Sequence, residues 1–193
     1  MNYEECKAEL EKRLKHSRFV HSVGVADTAV FLAGRFGVDK EKARIAGLLH
    51  DCAREFSNDK MIEEAEKRGI SFGPVERSMP LLLHAPLGAG RAEEIYGVRD
   101  RDVLQAIARH TVGGENMTLL DKIIYFADMI EPSRDYPGVE ELRRASREDG
   151  IDDMLLEGLS RSISFVVEKG HLIHPDTVTA RNEILLGRAG MGK

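Results

Sequence analysis

The sequence predicts a single all-α domain. Apolar residues recur at intervals of three and four through almost the whole chain, the spacing of amphipathic helices. The breaks between these runs fall at glycine, proline and capping residues, and no segment alternates as a strand does. At 193 residues the chain is long enough to bury one real core.

Cys6, Leu10 and Leu14 mark the first helix. The second covers Ser17 to Phe36 and stops at Gly37, a residue suited to a left-handed cap. Asp39 caps a third, which runs through Ala43, Ala46 and Leu49 into His50 and Asp51. Ser57 or Asn58 caps a fourth that ends at Gly69, and Ser71 to Pro80, with Gly73 and Pro74, reads as a loop. Two helices follow, Ala85 to Tyr96 and Asp100 to His110. After Gly113-Gly114, Thr118 and Asp121 form a capping box for a helix that Pro132 and Pro137 terminate. Leu155, Leu159, Ile163 and Val166 form the apolar stripe of a late helix closed by Gly170, readable as core or as a homodimer face. His174-Pro175-Asp176-Thr177 opens a final short helix. There is no internal repeat, so the expected organisation is one domain, residues 1–186, and a loose tail, 187–193.

A net charge of −5 argues against a nucleic-acid binder held by general electrostatics. A small phosphorylated ligand remains compatible, because clustered metals and arginines reverse the field locally. No apolar run is long enough for a membrane span, and Met1-Asn2-Tyr3-Glu4-Glu5 lacks the features of a secretory signal. Two cysteines, Cys6 and Cys52, do not make a disulfide framework, and a cytoplasmic location is expected.

The chemistry is concentrated in His21, His50, Asp51, His84, His110 and Asp128. Imidazoles and carboxylates hold borderline divalent metals in water-activating sites. Asp51 and Asp128 lie within the apolar segments Gly47–Ala53 and Ile123–Ile130, where an unpaired charge costs roughly several kcal/mol, so each should be paired or metal-bound. Any one of these histidines alone is more often a hydrogen-bonded core residue than a ligand. As neighbours on one helix, His50 and Asp51 project about 100° apart and can face a site against a flanking helix. The order His…His-Asp…His…His…Asp predicts a two-metal phosphohydrolase, although spacing alone leaves ligand and core readings in balance.

Longer segments carry a resemblance. Arg18-Phe19-Val20-His21-Ser22-Val23-Gly24-Val25, Ala46-Gly47-Leu48-Leu49-His50-Asp51, His84-Ala85-Pro86-Leu87-Gly88-Ala89, Ala106-Ile107-Ala108-Arg109-His110-Thr111, Phe126 to Arg134 and His174-Pro175-Asp176-Thr177 occur in that order. The chain resembles HD-domain metal-dependent phosphohydrolases, and within them the YqeK-type symmetrical diadenosine tetraphosphate hydrolases. His-x-Pro-x-Gly-Ala and Asp-x-Ile-Glu-Pro-x-Arg point to that branch. The resemblance implies a helical bundle in which His21, His50, Asp51 and Asp128 hold one metal. Asp51 would bridge to a second, completed by His84 and His110. It favours iron, while manganese, cobalt, nickel and zinc suit the same ligands. It implies symmetrical cleavage of a dinucleoside polyphosphate to two nucleoside diphosphates by metal-activated water, with Asp51, Arg54 and His84 in the catalytic machinery. Other HD activities use the same ligands: nucleotidase, triphosphatase, phosphodiesterase and alarmone hydrolase. A nucleotide sensor with a structural metal is the non-enzymatic alternative.

Arg54 lies three residues after Asp51, on nearly the same face, and reads as a phosphate clamp or a solvated arginine. Many HD enzymes carry lysine there. Arg134 reads as a phosphate contact, with a loop salt bridge to Glu131 or Asp135 as the alternative. Thr111 suits a phosphate oxygen or a helix-end cap. Lys122 and His16 are expected at the surface, His171 outside the ligand set, and His174 as a structural contact for the last helix. Cys52 is expected to be packing rather than chemistry.

Overall fold

A computed structural model describes residues 1–191, with side chains through residue 188. Its helices are α1 (Tyr3–Arg13), α2 (His16–Phe36), α3 (Lys40–Leu49), α4 (Asn58–Lys67), α5 (Pro74–Ser78), α6 (His84–Glu94), α7 (Arg101–Arg109), α8 (Leu119–Ile130), α9 (Val139–Glu148), α10 (Ile151–Glu168) and α11 (Pro175–Met191). A 3-10 turn, Pro80–Leu83, leads into α6. There is no strand among the described residues, and no helix among them is long and apolar enough to cross a membrane.

The caps fall where side-chain chemistry places them. Asp39 accepts from the backbone N–H groups of Glu41 and Lys42 at 2.8 and 3.1 Å. Ser57 caps α4, and Thr118 with Asp121 forms the capping box of α8. Gly37 and Gly69 adopt left-handed conformations just beyond α2 and α4, at φ 70° and 64°.

Four elements depart from the sequence reading. α3 stops at Leu49, so His50 and Asp51 stand at and just past its end instead of inside it. The loop expected over Ser71–Pro80 contains α5, whose five residues are too few to carry a periodic signal. α9 was not anticipated, because only Val139, Leu142 and Ser146 are buried on an otherwise charged helix. The last helix is long rather than short and continues from Gly187 to Met191, into the stretch expected to be a loose tail.

α2 is the central helix. It packs on α3 along much of its length and on α8, while α7 bridges α3, α6 and α8. Leu32, Leu48, Leu49, Ile107, Ile123, Ile124 and Phe126 form the fully buried core between them. Leu155 and Leu159 are core, packed with Tyr125, Ala180 and Ile184, whereas Ile163 and Val166 are half-buried.

The α2–α3 contact is unusually close. A Cβ on Gly47 would lie 2.8 Å from the Ala26 Cα and 3.0 Å from the Ala26 nitrogen. This approach lies three residues before His50 and five after His21, so it sets how near the two imidazoles come. Gly47→Ala therefore opposes about 1 kcal/mol of helix propensity with a clash against backbone, which cannot swing aside. We expect a net loss of roughly 1–3 kcal/mol by urea unfolding, with helical circular dichroism retained. Unchanged or higher stability would refute the close contact.

Candidate metal centre

The chain brings all six predicted residues together. His21 projects from the second turn of α2, and His50 and Asp51 from the end of α3. His84 begins α6, His110 follows α7, and Asp128 lies in the last turn of α8. The four histidines are at most 6% exposed.

Helix ends explain how three of the rings are aimed. The last carbonyls of a helix lack intrahelical partners. His50 Nδ1 donates to the Gly47 carbonyl at 2.7 Å, and His110 Nδ1 to the Ile107 carbonyl at 2.7 Å. His84 Nδ1 donates in the same way to Leu81, in the 3-10 turn. His21 sits inside a helix and uses a side chain, donating from Nδ1 to Glu131 Oε1 at 2.9 Å.

With each Nδ1 carrying its proton, the four Nε2 atoms point inward, and a neutral ring presents there a lone pair. They meet in pairs, His21 with His50 at 3.1 Å and His84 with His110 at 3.0 Å. Two lone pairs face to face repel unless a cation or a proton lies between them. Asp51 joins the pairs. Its Oδ1 is 3.1 Å from His84 Nε2 and 3.8 Å from His110 Nε2. Its Oδ2 is 3.5 Å from His50 Nε2 and 3.7 Å from His21 Nε2. Asp128 Oδ1 adds to the second group, 3.0 Å from His21 Nε2.

This donor set fits divalent metal. His21, His50 and Asp51 form one group able to hold an ion, and Asp51, His84 and His110 another. A third group, His50, His110 and Asp128, cuts across both. The electrostatics favour cations. Burial raises the Asp51 carboxyl, but His50 and His84 outweigh it and hold it well below the ordinary range. Burial also works against ionisation of Asp128, and His21, His50 and Arg134 overcome it. His110 is pushed down to about 3 by burial and by His50 and His84, which keeps its Nε2 free of a proton at neutral pH.

Arg134 lies on Asp128, donating from Nε to its carbonyl at 2.7 Å and from Nη2 to its carboxylate. Its contact with Glu131 is longer, 3.9 Å. Thr111 Oγ1 is 3.2 Å from His84 Nε2 and 3.1 Å from His110 Nε2, inside the cluster instead of capping a helix. Arg54 is half-buried. Burial lowers its pKa, and its charge is felt by Asp51 and Asp128 as well as by Arg18 and Arg134. Lys122 pairs with Asp152, and His16 is exposed. His174 bonds Glu76 Oε1 at 3.1 Å and accepts from the Asp176 N–H, fastening the start of α11 to α5. The Cys52 thiol faces the Gly88 carbonyl, and burial pushes it up to about 12, so it supplies no thiolate.

The sequence reading passed over two residues. Arg18 donates to Asp51 Oδ2 at 2.9 Å; its signal was the spacing of three from His21 on one helix face. Glu131 is 1% exposed and receives both His21 and Ser133; its signal was an acidic residue closing the apolar run of α8. Burial raises its carboxyl, but the hydrogen bonds from Ser133 and His21 outweigh this and lower it.

One cavity opens on the cluster, and a second, lined by none of the six residues, lies near its His84 side. The first, about 280 Å3, opens between Arg18, His21, Ser133, Arg134 and Tyr136. The other, about 360 Å3, lies among Pro86, Arg109, Gly113, Gly114, Glu76 and His174, next to the turns that carry His84 and His110.

Comparison with known proteins agrees with this geometry. The HD domain family model matches residues 18–133, which include all six cluster residues. A Bacillus subtilis protein named symmetrical bis(5'-nucleosyl)-tetraphosphatase is 38% identical over 97% of this chain and 100% of its own length. One of the same name from Halalkalibacterium halodurans is 39% identical over 92% of this chain and 94% of its own. A crystal structure from Clostridium acetobutylicum, described as a predicted HD superfamily hydrolase involved in NAD metabolism, superposes with a TM-score of 0.91. It is 44% identical and covers 96% of this chain and 97% of that one. The His-Asp cluster, the helical frame that aims it and the family match over more than half of the sequence place this chain in the HD-domain family.

Proposed function

We propose that this protein is a symmetrical bis(5'-nucleosyl)-tetraphosphatase, hydrolysing diadenosine tetraphosphate to two ADP at a dinuclear metal site. The observation that carries the dinuclear reading is the Asp51 carboxylate, whose two oxygens face two different histidine pairs. The substrate reading rests on the near full-length relatives that bear that name. Two divalent cations, when bound, lower the pKa of a shared water and offset charge on a phosphate. Iron is the metal we favour, with manganese, cobalt, nickel and zinc compatible with the donors.

The chain's own groups account for binding and orientation. His21, His50, Asp51 and Asp128 would hold one cation, and Asp51, His84 and His110 the other. Arg54 and Arg134 offset the polyphosphate charge, Arg54 through a planar guanidinium suited to paired hydrogen bonds and Arg134 through its charge and the Nη1 donors that Asp128 does not use. Arg18 stands beside them at the mouth of the first cavity. Thr111, within reach of His84 and His110, can donate its hydroxyl proton to a phosphate oxygen. The cavity that His21 lines, about 280 Å3 and bordered by Arg18 and Arg134, suits the phosphates of the substrate. Water adds to one of the two central phosphorus atoms, the anhydride bond between them breaks, and two nucleoside diphosphates leave.

Purified protein incubated with diadenosine tetraphosphate and iron or manganese should release ADP as the sole nucleotide product by chromatography. AMP with ATP, or no turnover, would reject the proposal. A panel of other nucleotides tests substrate choice, and a hundredfold preference for one of them, roughly 2.7 kcal/mol of transition-state stabilisation, would replace it.

Asp51→Ala should abolish turnover and lower the content of both metals, whereas His84→Ala should lose mainly one, as measured by elemental analysis of each variant. Equal metal loss in the two would overturn the bridging role. Arg134→Lys keeps the charge but not the planar guanidinium, and should reduce kcat/KM roughly tenfold to a hundredfold.

A further inference from the structure

Glu131 and Gly24 form a unit that neither metal binding nor phosphate binding by itself explains. Glu131 receives His21 Nδ1–H on Oε1 at 2.9 Å and the Ser133 backbone N–H on Oε2 at 2.8 Å, and the Ser133 hydroxyl donates to Oε1. Gly24 lies three residues after His21 on the same face of α2. A Cβ there would sit 2.5 Å from Glu131 Oε2, 3.4 Å from its Cδ and 3.5 Å from Pro132 Cδ. A glycine inside a helix costs about 1 kcal/mol relative to alanine, and here it leaves the space that the carboxylate occupies.

The two halves of the cluster differ in what stands behind their imidazoles. His50, His84 and His110 are backed by neutral carbonyls and His21 by an anion. A carboxylate accepting from Nδ1–H fixes the tautomer and makes Nε2 a stronger donor to a metal. That half also carries Arg18 on Asp51 and Arg134 on Asp128, two positive charges which an additional anion offsets. We propose that Glu131, seated in the space left by Gly24, is a positioning residue that strengthens the hold of the His21 half, and not of the His84 half, on a divalent metal. The proposal rests on the two-metal reading of the cluster and not on which nucleotide is cleaved.

The test uses full-length protein, stripped with chelator and titrated calorimetrically with Mn2+ alone. His84→Ala leaves the His21 half to be read, and His21→Ala leaves the other. Glu131→Gln keeps the shape and removes the charge. In the His84→Ala background it should weaken the remaining Mn2+ site about tenfold to a hundredfold, and in the His21→Ala background it should change nothing. Gly24→Ala should cause a comparable loss in the His84→Ala background but add nothing when Glu131→Ala is already present, because no carboxylate is left to displace. Circular dichroism on each variant confirms that the fold is retained. Equal loss in both backgrounds, retained affinity after Glu131→Gln, or no Mn2+ site in His84→Ala would overturn the proposal. No substrate enters the titration, so failure to cleave diadenosine tetraphosphate would be a separate result.

Discussion

Four imidazole nitrogens with inward lone pairs, crowded around a shared carboxylate, are unfavourable without positive charge among them. The rest of the fold works to hold that arrangement. The rings do not choose their orientation freely, since each Nδ1 is tied to a fixed acceptor. Helix termini are the natural source of such acceptors, because their carbonyls have no partner of their own. This accounts for the breaks in the chain that surround the cluster. α3 stops at Leu49, just before His50, α7 stops at Arg109, just before His110, and α6 begins at His84.

Small residues complete the arrangement. Gly47 against Ala26 brings α2 and α3 close enough for His21 to meet His50. Gly88 does similar work elsewhere, where a Cβ would lie 3.2 Å from the His50 carbonyl and 3.3 Å from Ile107 Cγ2. The turn after α8 is held from outside by α9. Arg143 donates to the carbonyls of Ile130, Glu131 and Arg134, the last turn of a helix being where a cation is most favourable. A helix with hardly any core of its own thus secures the segment that carries both Glu131 and Arg134.

The sequence made the helices legible where capping chemistry and periodicity agreed, as at Asp39, Ser57 and Thr118 with Asp121. It concealed α5, which is shorter than any periodic window, and α9, whose pattern is dominated by charge. The six cluster residues could be read because imidazole and carboxylate in apolar surroundings demand a partner. Placing His50 and Asp51 inside α3 was wrong for a local reason: the imidazole takes a carbonyl at the end of that helix. Arg18 and Glu131 were harder to recognise. Each acts through another side chain, Asp51 and His21 respectively, and that relation exists only once distant segments meet.

The cluster draws its members from α2, the end of α3, the start of α6, the end of α7 and the last turn of α8. No short stretch of chain can assemble it, so an unfolded polypeptide offers a cation nothing comparable. Any ion held there binds the native state selectively, and by mass action a free concentration a hundred times the dissociation constant adds about 2.7 kcal/mol to native stability. A marginally stable domain has only about 5–15 kcal/mol in total. The ionic environment of this chain therefore governs more than its chemistry. Metal scarcity would enlarge the unfolded fraction exposed to proteolysis, coupling the lifetime of the protein to the supply of its cation.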